Sequence, residues 1–302
     1  MTQHTVIRIG LPYASRGRLL NEAVALGGRV LISTGSMQRA GRLCRMGDAP
    51  WFASSALDSA GFVAMVQGGY RWTVSEYVEW VVTNGGRSEM PFPWEWWSAM
   101  DYCCEEAIAP NRAEVARRIQ LTTESYRETL CELDHWREEG VTDVPDPLPI
   151  VQGRTPADYI RSLRSLEAVL LEADRPGLPS LIGVGSVCTR EIQGPEGLLP
   201  VVEALAGAVP PGARLHLFGV KGEALPLLAR RVPGLVESVD SMAWDFRARR
   251  EARAARQPST VDHRAYWMRR WVETQQGRLS GIHVPGPGEQ LSLLGPASCS
   301  GD

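Results

Sequence analysis

The stretch SLIGVGSVCTREIQGPEGLLPVVEALAGAVPPGARLHLFGVKGEALPLLARRVPGLVESVDSM, residues 180–242, holds three short apolar runs, at 180–187, 214–220 and 236–242, separated by two helical patterns at 196–208 and 223–231. Runs of strand length that alternate with helices are the sequence form of parallel strands joined by crossover helices, because a parallel strand needs a connection that returns across the sheet. The segment VPPGA at 209–213 is a Pro- and Gly-rich connection leading into the second run.

The same alternation extends outward. Further strands are expected at Arg29–Thr34, Trp51–Leu57, Trp97–Tyr102 and Leu148–Gln152, with Leu279–Val284 completing eight. Helices are expected at Asn111–Glu139 and Pro156–Glu172, where Asn111 and Thr155 are suited to cap the first turn and Pro156 to occupy the first helical position. Eight strands with intervening helices predict an α/β fold of the TIM-type (β/α)8 class, and 302 residues suit one such barrel, which typically takes about 250. Residues 1–284 are therefore expected to form a single catalytic barrel that includes an Arg-rich segment at 244–278. The Gly, Pro and Ser of 285–302 predict a mobile tail.

Hydrophobic residues at 44% and charged residues at 22% supply a core that needs no disulfides. No apolar run approaches the roughly 20 residues of a membrane span, and MTQHTVIRIG lacks the pattern of a signal peptide, so a cytoplasmic protein without a membrane partner is expected. The six cysteines have neither disulfide-framework nor CxxC spacing, and the five histidines show no HxH or HExxH, so no metal and no cofactor is expected. Net charge is only −3, which argues against a surface coated with phosphate-binding groups. Between Arg247 and Arg278, however, lie nine arginines, no lysine and three acids. Such a stretch can hold a nucleic-acid backbone, and Arg247, Arg249, Arg250 and Arg253 are its candidates; the plain alternative is a solvated Arg-rich helix.

In a parallel barrel the catalytic groups stand at the C-terminal ends of strands. Four ends carry a polar side chain directly after an apolar run: Asp58 in LDSAGF, Asp101 in AMDYC, Gln152 in IVQG and Asp240 in SVDSMAW, while IGVGSV at 182–187 supplies glycines. One aspartate at such a place is usually a turn or cap residue. Four polar groups at one barrel mouth point to a site. Trp94, Trp96 and Trp97 are expected as packing, with base stacking as the other reading, and His216 as a hydrogen-bonded residue of the barrel core.

DSAGF at Asp58 resembles the DSGGF motif of tRNA-guanine transglycosylases, MDYC at Asp101 resembles their FDEC, IVQG matches, IGVGSV resembles IGGLSVGE, and VDSM at Asp240 falls where that family has FDCV. GVGSVC, LHLFGVKG and SVDSMAW are more similar to the deazapurine DNA modification (DpdA) family. The resemblance implies an enzyme that exchanges guanine in DNA for a 7-deazaguanine such as 7-cyano-7-deazaguanine. Base exchange at C1′ with retention takes two displacements through a covalent carboxylate ester. The resemblance makes Asp240 the nucleophile and Asp58 the general acid and base. Asp101, Gln152, Gly153 and the Gly183, Val184, Gly185 loop would hold the base, with Tyr102 stacked on it. The zinc motif CxCxxC of the tRNA enzymes is absent, as is their TRxGRNG-like stretch after the nucleophile, so the barrel is expected without their zinc-binding insertion. A tRNA-directed relative and a non-catalytic nucleic-acid-binding barrel are the alternatives. Whether the chain pairs as a homodimer stays open in the sequence.

Overall fold

The run VIRIGL forms β1 (Val6–Leu11) of a computed structural model that describes residues 5–11, 17–39, 42–43, 54–85 and 94–281. Ile9 and Leu11 pack outward, whereas Arg8 turns inward and is 2% exposed. The other strands of the sheet are β2 (Arg29–Ser33), β3 (Ser54–Asp58), β4 (Trp94–Trp97), β5 (Ile150–Val151), β6 (Leu181–Val184), β7 (Arg214–Leu217) and β8 (Val236–Ser241). All pair in parallel, in the order β4-β3-β2-β1-β8-β7-β6-β5. A parallel bridge between Ser98 and Leu148, with Leu148 N–H donating to Trp97 at 2.7 Å and Ala99 N–H to Leu148 at 3.1 Å, joins the two edges. The circle is that of a (β/α)8 barrel.

Two expected strands need correction. The eighth strand is β1, not Leu279–Val284: Leu279 and Ser280 close the last helix, α9 (Val261–Ser280), which stops at Gly281 in a left-handed cap with φ +70°, and 282–284 lie outside the described residues. The fourth strand occupies Trp94–Trp97 rather than Trp97–Tyr102, so that residues 98–102 run on from its end into the mouth of the barrel. Residues 51–53 of the expected strand Trp51–Leu57 and the 285–302 tail also lie outside the described residues.

The remaining helices are α1 (Arg18–Ala25), α2 (Gly61–Val66), α3 (Val74–Gly85), α4 (Arg112–Glu138), α5 (Pro156–Glu172), α6 (Leu198–Ala206), α7 (Leu225–Arg231) and α8 (Ala243–Ala254). Asn111 accepts the Glu114 N–H at 2.9 Å at the start of α4. Thr155 and Asp158 form a reciprocal capping box on α5, with Pro156 in the first turn.

Outward side chains form two cores. Val30, Ile32, Leu57 and Trp97 pack under α1, α3 and α9, and Val184, Leu215, Leu217 and Val239 pack under α5, α6 and α7. Leu31, Ala56, Trp96, Leu148 and Ile150 fill the barrel interior with Phe218. A register shift between Ser55 and Ala56 of β3 accompanies the turn of Trp96 inward and Trp97 outward. Below them Arg8 donates to Ser54 Oγ at 2.9 Å and pairs with Glu95 at 2.8 Å, closing the N-terminal end with charge that is matched rather than stranded. Because strand side chains alternate, the inward series 54, 56, 58 on β3 and 238, 240 on β8 climb to the opposite end. That alternation lifts Asp58 and Asp240 to the C-terminal mouth.

Candidate active site at the C-terminal mouth of the barrel

A cavity of about 880 Å³ opens at this mouth, lined among others by Asp58, Asp101, Glu105, Gly185, Ser186, Cys188, Gly219, Asp240, Phe246 and Arg247. The structure thus brings Asp58 of β3, Asp101 of the segment that runs on from β4, and Asp240 of β8 into one space. Like charges in a partly dry cavity resist joint ionisation. Burial, then the Asp101 and Asp240 carboxylates, push the Asp58 carboxyl up to about 7, against hydrogen bonds from the Ala60 backbone and Ser33. Asp58 is therefore shared between its acid and its base form near neutral pH, the condition for a group that must give and take a proton.

Asp101 is held rigidly. Ser59 Oγ donates to its Oδ1 at 2.8 Å, and Gln152 Nε2 donates to its Oδ2. Tyr70 Oη donates to the Asp101 carbonyl at 2.9 Å and accepts its N–H at 3.1 Å. Burial raises the Asp101 carboxyl to about 6, opposed by the bonds from Ser59 and Gln152. The backbone of α2 closes directly over it, since a side chain at Gly61 would occupy the space of the Asp101 carboxylate. That requirement is met by the glycine of DSAGF. Ala60 before it adopts φ +67°, a strained turn for a non-glycine residue that directs the chain from β3 into α2.

Asp240 is 8% exposed, and its Oδ1 accepts the Gly219 N–H at 2.9 Å. Gly219 takes φ +69°, which turns the chain after β7 back toward β8. Beneath it His216 is fully buried, with Nδ1 2.8 Å from Ser238 Oγ.

Other expected contacts lie elsewhere. Gln152 is 0% exposed and its amide is engaged on both sides, donating to Asp101 and accepting from Ser186 Oγ. The Gly183 and Gly185 N–H groups are taken by the strand ladder, bonding Pro149 O at 2.9 Å and Val151 O at 3.0 Å. Val184 packs outward in the core, and the Gly153 carbonyl accepts from Arg190 at 2.7 Å. Tyr102 stands edge-on to Tyr70 at 5.7 Å and faces Glu128 and Arg117 of α4. Gly185 alone of this group lines the cavity, beside Asp101. Trp94, Trp96 and Trp97 are all buried as packing.

The Arg-rich segment divides in two. Arg264 is buried against Asp245 at 2.5 Å, Arg249 meets the same carboxylate at 2.8 Å, Arg269 pairs with Glu22 at 2.7 Å and Arg278 with Glu223 at 2.8 Å. Arg250 and Arg253 are exposed on α8, on the stripe that begins at Phe246, a residue 72% exposed at the cavity rim. Arg247 lies 3.9 Å over the Trp267 ring and lines the cavity.

Glu105 is a cavity acid that sequence reasoning missed. It is 5% exposed and accepts from Cys188 Sγ at 3.2 Å and from Thr189 Oγ1. Burial raises the Cys188 and Cys103 thiols, so both remain protonated. Among the described residues no three or more His, Cys, Asp or Glu side chains are grouped to hold a metal ion, and no helix is long and apolar enough to cross a membrane.

No curated protein matches the chain significantly. Among solved structures, a candidate fructose-1,6-biphosphate aldolase from Coccidioides immitis is 15% identical, covering 92% of this chain and 90% of that one, with a TM-score of 0.49. The YdjI aldolase from Escherichia coli K12 is 12% identical over the same shares, with a TM-score of 0.39. Neither likeness bears on function. The family model described as deoxypurine in DNA protein A matches residues 27–283, a span that contains every one of the cavity aspartates. This chain belongs to the DpdA family, whose role is DNA modification of transglycosylase type with DNA as substrate.

Proposed function

We propose that this protein exchanges guanine in DNA for a 7-deazaguanine, with Asp240 as nucleophile and Asp58 as the proton carrier. The observation that carries the reading is the meeting of Asp58, Asp101 and Asp240 in one cavity, with Asp58 raised to about 7. In the first displacement an Asp240 oxygen bonds C1′ while the guanine leaves with a proton from Asp58. In the second, Asp58 takes the N9 proton of the incoming base, whose nitrogen bonds C1′ and expels the aspartate. Two inversions retain the configuration.

Asp101 accepts from the N1–H and 2-amino group that guanine and 7-deazaguanines share. Gln152 serves as the brace that aims Asp101. The donor to the 6-oxo group is the Ser186 N–H, the first beyond the β6 ladder, in a loop that turns at φ +55°. Arg247 at the cavity and Arg250 and Arg253 farther along α8 follow the phosphates; Arg249, tied to Asp245, contributes less. The target nucleotide leaves the stack to reach the carboxylates, as in other enzymes that act on a base.

Asp240→Asn tests the assignment, because an amide forms no glycosyl ester. The variant should fold as the wild type and lose exchange entirely. Substantial turnover without deamidation would remove Asp240 from the nucleophile role.

A further inference from the structure

His216 stands on β7 one layer below Asp240, with Ser238 as its partner across the β7–β8 pairing. Its imidazole is 0% exposed and lies against Trp96, with ring centroids 4.6 Å apart, and Phe218 at 4.5 Å. Nδ1 is 2.8 Å from Ser238 Oγ, and Nε2 lies 3.4 Å from Asp240 Oδ1, short of a hydrogen bond and without another partner among the described residues. The proton transfers above make no use of it.

The geometry selects the tautomer. A proton on Nδ1 would leave the Nε2 lone pair facing the lone pairs of a carboxylate oxygen, so the proton belongs on Nε2, and the Ser238 hydroxyl donates to Nδ1. The charged groups around the ring are Asp240 and Glu95, which favour its protonation, and Arg8, which opposes it; burial outweighs them and keeps the ring neutral. Two N–H groups therefore face Oδ1, that of Gly219 in a hydrogen bond at 2.9 Å and that of His216 at 3.4 Å, close enough to tighten into one as the ester forms. Among the described residues Oδ2 receives none.

Resting on the base-exchange reading, we infer that His216 is a positioning residue which, with the Gly219 N–H, holds Oδ1 of Asp240 and leaves Oδ2 as the oxygen that attacks C1′. An Oδ2 lone pair forms the bond to C1′ as the C1′–N9 electron pair departs with the base, which takes its proton from Asp58. Oδ1 then becomes the carbonyl oxygen of the ester, and both donors stay where they were. In the second displacement the same donors receive the charge that returns to the carboxylate, with no reorganisation. A neutral donor suits both directions, since an imidazolium would stabilise the free carboxylate and hold back the attack.

The test compares wild type, His216→Leu, His216→Gln and Ser238→Ala in steady-state exchange on DNA and in trapping of the protein–DNA adduct, with thermal melting to establish folding. His216→Leu should lower kcat at least tenfold with unchanged KM for DNA and for the free base, and should slow adduct formation in proportion. His216→Gln, which restores an N–H at nearly the same place, should recover most of the rate, and Ser238→Ala should fall between them. A folded His216→Leu with wild-type kcat, or a His216→Gln no better than His216→Leu, would overturn the inference while leaving base exchange standing. Wild-type protein with neither exchange nor adduct would overturn base exchange, and this inference with it. Long-range ¹H–¹⁵N spectra of labelled wild type judge the geometry independently of turnover: a neutral Nε2–H tautomer at pH 7 supports it, and an Nδ1–H tautomer or an imidazolium overturns it.

Discussion

Replacing Asp58 with asparagine should make the protein more stable and inactive, and the size of the gain should depend on pH. A carboxyl held at about 7 instead of its ordinary 3.8 binds its proton more tightly in the folded than in the unfolded chain. Its contribution is fully favourable only below about pH 4 and is lost as pH rises toward 7, because the unfolded chain releases the proton first. At 1.36 kcal/mol for each tenfold change in acidity, the cost to the folded protein is about 4 kcal/mol at pH 8 and about 2 kcal/mol at pH 5. Asp58 keeps some contact with the cavity, so solvent screening makes these upper bounds. Asparagine removes the titration while keeping the shape, and for a chain of this length roughly 2 °C of melting temperature follows each kcal/mol. Calorimetry should show Asp58→Asn melting up to roughly 8 °C above wild type at pH 8, with about half that difference at pH 5. Such a trade of stability against activity is usual where a site confines like charges. An unchanged or lower melting temperature at pH 8, or a gain independent of pH, would refute the claim that burial beside the Asp101 and Asp240 carboxylates holds the Asp58 carboxyl up.

Asp245→Ala should destabilise the fold by about 3 kcal/mol, because it removes the buried carboxylate whose Oδ1 meets Arg264 Nε at 2.5 Å and whose Oδ2 meets Arg249 Nε at 2.8 Å; chemical denaturation measures this, and a loss under 1 kcal/mol would contradict it. Replacing Arg247, Arg250 and Arg253 with alanine should lower DNA affinity broadly across sequences and reduce the salt slope of binding by roughly one unit per lost phosphate contact. Equal slopes for wild type and triple variant would identify α8 as a solvated helix only. Phe246→Ala, at the exposed rim, should slow exchange on duplex DNA at least tenfold more than on a duplex mismatched at the target guanine, if the ring supports the vacated stack. Equal effects on both substrates would deny it that role.

The barrel was legible where apolar strands alternate with helical patterns, as from Thr155, whose capping box opens α5, through Ser241. It was hidden at β1, where the inward Arg8 interrupts VIRIGL; its partners Ser54 and Glu95 stand on other strands and leave no local trace. The last helix was legible as an Arg-rich segment but not at its end, since GRLSGIHV alternates like a strand while its first residues complete α9. Asp58 and Asp240 were readable because a polar residue after an apolar run marks a strand end, and Asp101 because the same pattern leads into the mouth, although β4 itself stops at Trp97. Glu105 was not, because in CCEEA it is indistinguishable from Glu106, and only the fold buries the first while its neighbour stays exposed. Gln152 was visible as a site residue, yet its engagement with Asp101 and Ser186 depends on strands whose ends meet only in the closed barrel. The same holds for Arg269 and Arg278, whose acids Glu22 and Glu223 lie far away in sequence.

The most direct test of base exchange in DNA incubates the protein, side by side, with duplex DNA and with bulk tRNA in the presence of labelled 7-cyano-7-deazaguanine, and measures label in each polymer. Incorporation into DNA, absent with Asp240→Asn and negligible in tRNA, is the predicted result. Label entering tRNA alone, or neither polymer under conditions where the protein is folded and binds DNA, would contradict it.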